Sequence, residues 1–205
     1  MKRVLFSLAC IAGMAFLASC QTMSKDECSA ADWQVIGQQD GAAGLSSEGR
    51  FADHVKSCKK AGVQPDQTAY YAGYQSGLVQ YCTPLKGLSV GQGGRSYNNV
   101  CPPDLETGFM RGHRLGSAEY SKKSEIRTIE TRIRQLEGEI SDFERQVKKG
   151  KLSSGEAYDK IRKRGREIER LRRDRREANR ELDLISRDID WFTSNPDAEI
   201  PPRYN

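Results

Sequence analysis

Few residues of this chain could do acid–base or nucleophilic chemistry. His54 and His113 are the only histidines in 205 residues, and Asp40, Asp32 and Asp53 are the carboxylates that could orient His54. Ser76-Gly77 and Gly116-Ser117 do not form the GxSxG sequence of a nucleophile elbow. We therefore expect no catalytic residue and no cofactor. A hydrolase centred on His54 and Asp40 remains an alternative.

The first 20 residues predict a lipoprotein signal peptide. Two basic residues precede an apolar run over 4–17, which is shorter than the roughly 20 residues of a membrane-spanning helix. The run ends in Leu17-Ala18-Ser19-Cys20, which looks like a bacterial lipobox. Cleavage would leave a Cys20 that carries palmitate-type chains and anchors the protein to a membrane. Gln21, which is not aspartate, favours the outer membrane, facing the periplasm. A plain secretory signal with a chance cysteine is the alternative.

The remaining cysteines predict disulfide bonds. Six are present; Cys10 lies in the signal peptide and Cys20 is the expected lipid site. The other four are expected to pair in an oxidising compartment, where three connectivities are possible. No CxxC pair occurs, and two histidines are too few for common metal sites, so we expect no metal. The four cysteines are Cys28, Cys58, Cys82 and Cys101.

Composition divides the mature chain and argues against a large core. Apolar residues make up 37%, and runs rich in valine and isoleucine are missing, which excludes a Rossmann or barrel enzyme. Residues 21–118 contain all four remaining cysteines and carry no net charge, whereas residues 119–205 contain 22 basic and 19 acidic residues and no cysteine. We predict a Cys/Gly-rich helical module over 21–118, a hairpin over 119–193 and an irregular tail over 194–205.

Four helices are predicted in the module. The first follows Ser29, with Asp32 completing a capping box, and runs to Gly44; the second covers 48–61. The third runs from Asp66 to Cys82, and the fourth follows Asp104. The glycine-rich residues between Cys82 and Cys101 are expected to form a loop. This arrangement brings the ends of the predicted helices together and favours the pairs Cys28–Cys58 and Cys82–Cys101.

Glycines recur in the module at helical spacing. Gly37-x3-Gly41-x2-Gly44 is echoed by Gly73-x3-Gly77 and by Gly108-x3-Gly112-x3-Gly116. A helical glycine costs about 1 kcal/mol relative to alanine, so the pattern predicts helices whose backbones approach closely. A ligand groove lined by neighbouring aromatic side chains is the alternative. Those side chains are Trp33, Tyr70, Tyr74 and Phe109.

Residues 119–193 are predicted to form an antiparallel coiled-coil hairpin. Apolar residues from Ile126 to Val147 alternate at spacings of three and four, and a second stripe runs from Ile161 to Phe192. Gly150 and Ser153 would end the first helix and cap the second. Ile185 to Phe192 should fold back onto residues 109–116. The stripes could instead pair between two chains and give a dimer.

The hairpin contains a candidate patch for an anion or an acidic partner. Residues 160–176 contain ten basic and three acidic residues, whereas 135–147 carry a net negative charge. Pairing across the hairpin would neutralise part of this excess. Nucleic acid is not an expected partner for an exported protein. The candidate residues are Arg162, Lys163, Arg164, Arg166, Arg172 and Arg173.

Residues 28–120 resemble a known family. Together they are similar to an uncharacterised family of proteobacterial lipoproteins, domain of unknown function 2799. The resemblance implies an envelope location and no activity; this chain has His113 where the family tends to have tyrosine. The residues that carry it are Asp32-Trp33, Gly37, Asp40-Gly41, Gly44, His54, Cys58, Tyr71, Gly73, Gly77-Leu78, Tyr81-Cys82, Pro84, Gly91, Gly94, Tyr97, Val100-Cys101-Pro102, Phe109, Gly112 and Gly116.

These observations lead to an all-α protein: a small disulfide-stapled, glycine-rich helical module followed by an antiparallel coiled-coil hairpin. We expect a lipid-anchored envelope protein that acts as a scaffold or spacer through this hairpin, with an envelope protein or a second copy as partner. The alternative is a periplasmic module that binds a small ligand or a cell-wall glycan.

Overall fold

The computed structural model describes residues 23–198 and 201, and these residues form only helices, turns and connecting segments. The predicted signal peptide and Cys20 lie outside this part of the chain, as do residues 199, 200 and 202–205. The helices are α1 (Lys25–Ser29), α2 (Trp33–Ala42), α3 (Ser47–Cys58, extended by a 3-10 turn at Lys59–Ala61), α4 (Gln67–Tyr81), α5 (Pro84–Gln92), α6 (Pro103–Lys148) and α7 (Ser154–Ser194).

Side-chain caps set the starts of α2 and α4. Asp32 caps α2 by accepting hydrogen bonds from the backbone of Gln34 and Val35, and Asp66 caps α4. Ser29, which was predicted to open the first long helix, instead ends α1. Its predicted role in a capping box is therefore wrong, because Asp32 alone supplies the acceptor for α2.

The first half of the module is a parallel pair of helices, α2 and α4. A Cβ on Gly37 would overlap the carbonyl group of Tyr70, and one on Gly73 would overlap the carbonyl group of Gln34. One turn later, a Cβ on Gly41 or on Gly77 would overlap the backbone of the other helix in the same way. The predicted close approach of glycine-bearing helices is therefore present.

The segment predicted as a loop between Cys82 and Cys101 contains α5. Thr83 caps this helix and Pro84 occupies its first turn. Gly87 and Gly91 face the backbone of α6 at Phe109 and His113, while Gly112 and Gly116 face Pro84 and Leu88 of α5. The loop prediction is wrong because packing against α6 outweighs the poor helix propensity of these glycines.

The pair α5–α6 repeats the contacts of the pair α2–α4. Gly44 ends α2 with a φ of +69° under the ring of Tyr81, and Gly94 follows α5 with a φ of +66° under the ring of Tyr120. At such positive φ only glycine is accommodated without strain. The module is thus built from two parallel helix pairs of the same design.

One polar contact is also repeated, with a change of residue. The Tyr74 hydroxyl donates a hydrogen bond of 2.6 Å to the carbonyl of Leu45, the residue after Gly44. In the second pair, Nε2 of His113 donates to the carbonyl of Arg95, the residue after Gly94, at 2.9 Å. His113 therefore performs in α6 the bridging role that Tyr74 performs in α4.

Each helix pair has one disulfide bond, which joins the residues before its first helix to the segment between its two helices. Cys28 of α1 is bonded to Cys58 of α3, and Cys82 at the end of α4 is bonded to Cys101 before α6. This is the pairing predicted from the sequence. All four cysteines lie in the core that both helix pairs share.

The helix α6 continues from the module into the hairpin. The predicted boundary between residues 118 and 119 falls inside α6, which runs without a break from Pro103 to Lys148. Gly150 adopts a φ of +65° at the turn, and Ser153 forms a capping box with Glu156, as predicted. A rigid helix therefore joins the two parts, and no linker separates them.

The hairpin has its own apolar seam and a second contact with the module. Ile133, Leu136 and Ile168 form a buried cluster between α6 and α7. At the other end, Phe192 is fully buried against Leu88 and Leu115. The predicted fold-back of the end of α7 onto the module is confirmed.

Candidate functional site

Asp40 is the centre of a buried polar cluster in the first half of the module. Its Oδ2 accepts a hydrogen bond of 2.8 Å from Nε2 of His54 and one of 3.0 Å from the hydroxyl of Tyr70. Nε of Arg50 lies 3.5 Å from the other carboxylate oxygen. Asp40, His54 and Tyr70 are each at most 7% exposed. The cluster joins α2, α3 and α4.

The electrostatics of the cluster keep Asp40 ionised. Burial works against the charged form, but the hydrogen bonds from His54 and Tyr70 and the positive charge of Arg50 outweigh it, so the pKa of Asp40 lies below its usual value. Burial and the neighbouring carboxylate raise the pKa of Tyr70 far above its usual value. The Tyr70 hydroxyl therefore stays protonated and acts as a hydrogen-bond donor.

Replacing Asp40 by asparagine is expected to lower the free energy of unfolding at pH 6 by about 2 kcal/mol, because charge-assisted hydrogen bonds are lost inside the core. Since the folded-state pKa is lowered, the carboxylate stabilises the protein above its unfolded-state pKa of about 3.9, and this stabilisation is lost as the pH falls through the folded-state value. The variant should thus lose less stability between pH 6 and pH 3 than the wild type does.

Urea unfolding at both pH values checks this prediction. Asp53→Asn is the matched control, since Asp53 is an exposed carboxylate of α3, next to His54 in the sequence. Equal effects of the two substitutions at pH 6 would contradict the role given to Asp40.

The four aromatic side chains predicted to line a ligand groove lie in the core instead. Tyr70 and Phe109 are fully buried, Tyr74 is 3% exposed and Trp33 is 8% exposed. Their rings pack against neighbouring aromatic side chains, including Phe51. The groove prediction is corrected on this point, because these four aromatic side chains are buried in the core and do not line an exposed surface.

The candidate basic residues of α7 fall into two groups. Arg162 pairs with Asp159, Arg164 with Glu139, and Arg172 with both Glu137 and Glu169. The other three form no ion pair within 4 Å among the described residues and lie exposed on the helix. These are Lys163, Arg166 and Arg173.

Ion pairs across the hairpin set its register. Arg132 donates two hydrogen bonds to Glu167, the shorter of 2.8 Å, and Nζ of Lys122 lies 2.6 Å from Glu181. Lys122 therefore pairs with a residue toward the module end of α7, whereas Arg132 pairs nearer the tip of the hairpin.

Two further exposed cations belong with the unpaired group: Arg170, which lies in the basic run over 160–176, and Arg180, which was not singled out from the sequence. Arg170 and Arg180 lie on the same side of α7 as Lys163, Arg166 and Arg173. The helical spacing of the five residues was available in the sequence. Which cations form ion pairs became visible only with the partner helix in place.

No helix among residues 23–198 is long and apolar enough to cross a membrane. The same residues contain no group of three or more His, Cys, Asp and Glu side chains arranged to hold a metal ion.

The comparison with known proteins concerns the module. Residues 32–118 match a family described as protein of unknown function (DUF2799). The match begins at the cap of α2 and ends inside α6, so it includes both helix pairs and excludes the hairpin. No curated protein and no solved structure gives a significant match. Residues 32–118 of this chain are therefore similar to the DUF2799 family over both helix pairs of the module.

Proposed function

We propose that this protein is a lipid-anchored component of the cell envelope that acts as a scaffold or spacer through its helical hairpin. The observation that carries the proposal is the continuity of α6, which belongs to the module over its first half and to the hairpin over its second. At 1.5 Å per residue, the 41 residues of α7 span about 60 Å.

Contacts at the base of the hairpin, called here the arm, fix its direction relative to the module. The guanidinium of Arg111 in α6 lies over the ring of Phe192, and its NH2 group donates a 2.6 Å hydrogen bond to the carbonyl of Pro196. Together with the buried Phe192, these contacts hold both helices of the arm to the module. A rigid arm fixed at one end suits a protein that presents a surface at a distance from its anchor.

The membrane anchor in this proposal rests on Cys20 and the residues before it. Cells fed a clickable palmitate analogue should label the wild-type protein, and Cys20→Ser should abolish the label and release the protein from the membrane fraction. Cys10→Ser, which changes a cysteine inside the predicted signal peptide, is the control and should leave the label in place. Labelling that survives Cys20→Ser would contradict the anchor.

In-cell photo-crosslinking tests the role of the arm. A photoreactive amino acid at the exposed α6 positions Thr131, Gln135 and Ser141 should give adducts with a common envelope component, whereas the exposed module positions Gln75 and Gln80 should not. Adducts from the module positions alone would contradict the proposal and favour the alternative of a ligand-binding module.

A further inference from the structure

We infer that the outward face of α7 is a docking surface for an anionic phospholipid bilayer. The inference deepens the proposed function by naming the chemistry that the arm recognises, and it rests on the arm being the interacting part of the protein. The surface is defined by five exposed cations, called here the basic stripe: Lys163, Arg166, Arg170, Arg173 and Arg180.

The geometry of α7 places these cations in one line. Their spacings of three, four, three and seven residues bring them to one face of the helix, opposite the buried Ile168 and Ala178. The stripe extends over 17 residues, or about 26 Å of helix. Because α7 is one unbroken helix packed against α6, all five cations of the stripe can face the same surface.

The cations of the stripe form no close ion pair within the described part of the molecule, although the charge of Arg170 adds to the hydrogen bond from Arg132 in lowering the pKa of Glu167. None of its five members forms an ion pair within 4 Å among the described residues, although most other cations of this part of α7 do, including Arg162 and Arg172. Glu177 is the one acidic residue within the line of the stripe. Two acidic residues of α6 that face α7 are engaged by other cations, Glu139 by Arg164 and Glu137 by Arg172.

The composition of the face favours lipid headgroups over a folded acidic protein. Protein interfaces gain most of their affinity from buried aromatic or apolar anchors at their centre. No exposed apolar side chain lies between Asp159 and Glu181 of α7. Four of the five cations are arginines, whose planar guanidinium matches phosphate oxygens. In a fluid bilayer, mobile phosphates can move beneath each cation, so no matched spacing is needed in the partner.

The apolar residues that α7 buries against α6 determine how it would bind a bilayer. Its apolar face is used against α6, with Ile168 and Leu171 in the seam. It therefore has no apolar face to insert between lipids, and contact is limited to the headgroups. Such binding is electrostatic and weakens as salt is raised.

The test uses a chain that begins at Gln21, so that no acyl chain contributes to binding. Sedimentation with vesicles of phosphatidylcholine plus about 30 mol% phosphatidylglycerol should capture the protein, and pure phosphatidylcholine vesicles should not. Capture should be lost when salt is raised from about 0.1 M to about 0.5 M. Arg166→Gln, Arg170→Gln and Arg173→Gln together should weaken the partition coefficient about 100-fold.

The matched control removes the same number of positive charges from the module. Lys56→Gln, Lys59→Gln and Lys60→Gln change three exposed lysines and should weaken binding by less than about 5-fold. Equal losses in the two triple variants, or no capture by anionic vesicles, would overturn the inference. Capture by an acidic peptide but not by vesicles would also overturn it. This assay contains no envelope protein, so its failure is distinguishable from failure of the crosslinking test.

Discussion

Gly73→Ala is expected to reduce the free energy of unfolding by about 3 kcal/mol or more, or to prevent folding. The added Cβ would overlap the carbonyl oxygen of Gln34, which is part of the α2 backbone and cannot swing aside as a flexible side chain could. Relief requires the separation of α2 from α4, along with the aromatic core that both helices cover. Urea unfolding followed by circular dichroism measures the loss.

Gly138→Ala is the matched control for this prediction. It makes the same chemical change within a helix, but a Cβ at Gly138 meets nothing within 4 Å. It should therefore stabilise the protein by up to about 1 kcal/mol through helix propensity alone. A similar effect at Gly73 and Gly138 would contradict the close backbone contact of α2 with α4.

Removal of the disulfide between Cys28 and Cys58 has the second large expected effect. Replacing both cysteines by serine should cost about 3.5 kcal/mol, because the bond closes a loop with a sequence separation of 30 and restricts the unfolded chain. The bond between Cys82 and Cys101 closes a separation of 19 and should cost about 3 kcal/mol when removed.

Both double-serine variants can be compared by urea unfolding under non-reducing conditions. The protein that lacks both bonds should be unfolded at 37 °C, since the module has a small core with many glycines. An unfolding midpoint that does not change in either variant would show that the helix packing alone is sufficient. Reduction of the wild type should reproduce the loss seen in the variant without either bond.

The sequence predicted the parts of the fold that depend on local or periodic signals. The alternating stripe from Ile126 to Val147, the turn at Gly150 and the cap at Ser153 each have a direct physical meaning. The disulfide pairing followed from predicted helix ends that lie close together. These features could be predicted because each depends on few neighbours.

What the sequence reading missed depends on contacts between distant segments. The sequence predicts a loop at α5 because Gly87 and Gly91 disfavour a helix in isolation, and only packing against α6 compensates for them. A usable signal existed: Gly87-x3-Gly91-x2-Gly94 has the same spacing as Gly37-x3-Gly41-x2-Gly44.

The candidate site, too, depends on contacts between distant segments that the sequence does not reveal. Tyr70 and Phe109 were considered as ligand contacts, yet both are fully buried, because an aromatic ring fills the space left beside a helix that carries glycine. Likewise, the run of basic residues on α7 was evident in the sequence. The division into paired and unpaired cations depends on the position of α6.

The central claim is that the arm folds back on itself within one chain and so leaves its outer faces available for a partner. Light-scattering mass of the chain that begins at Gln21 tests this most directly, at concentrations across a wide range. The account predicts a monomer throughout, because Ile133, Leu136 and Ile168 are already buried against one another within one chain. A stable dimer whose dissociation requires unfolding would contradict it, since the apolar stripes would then pair between chains.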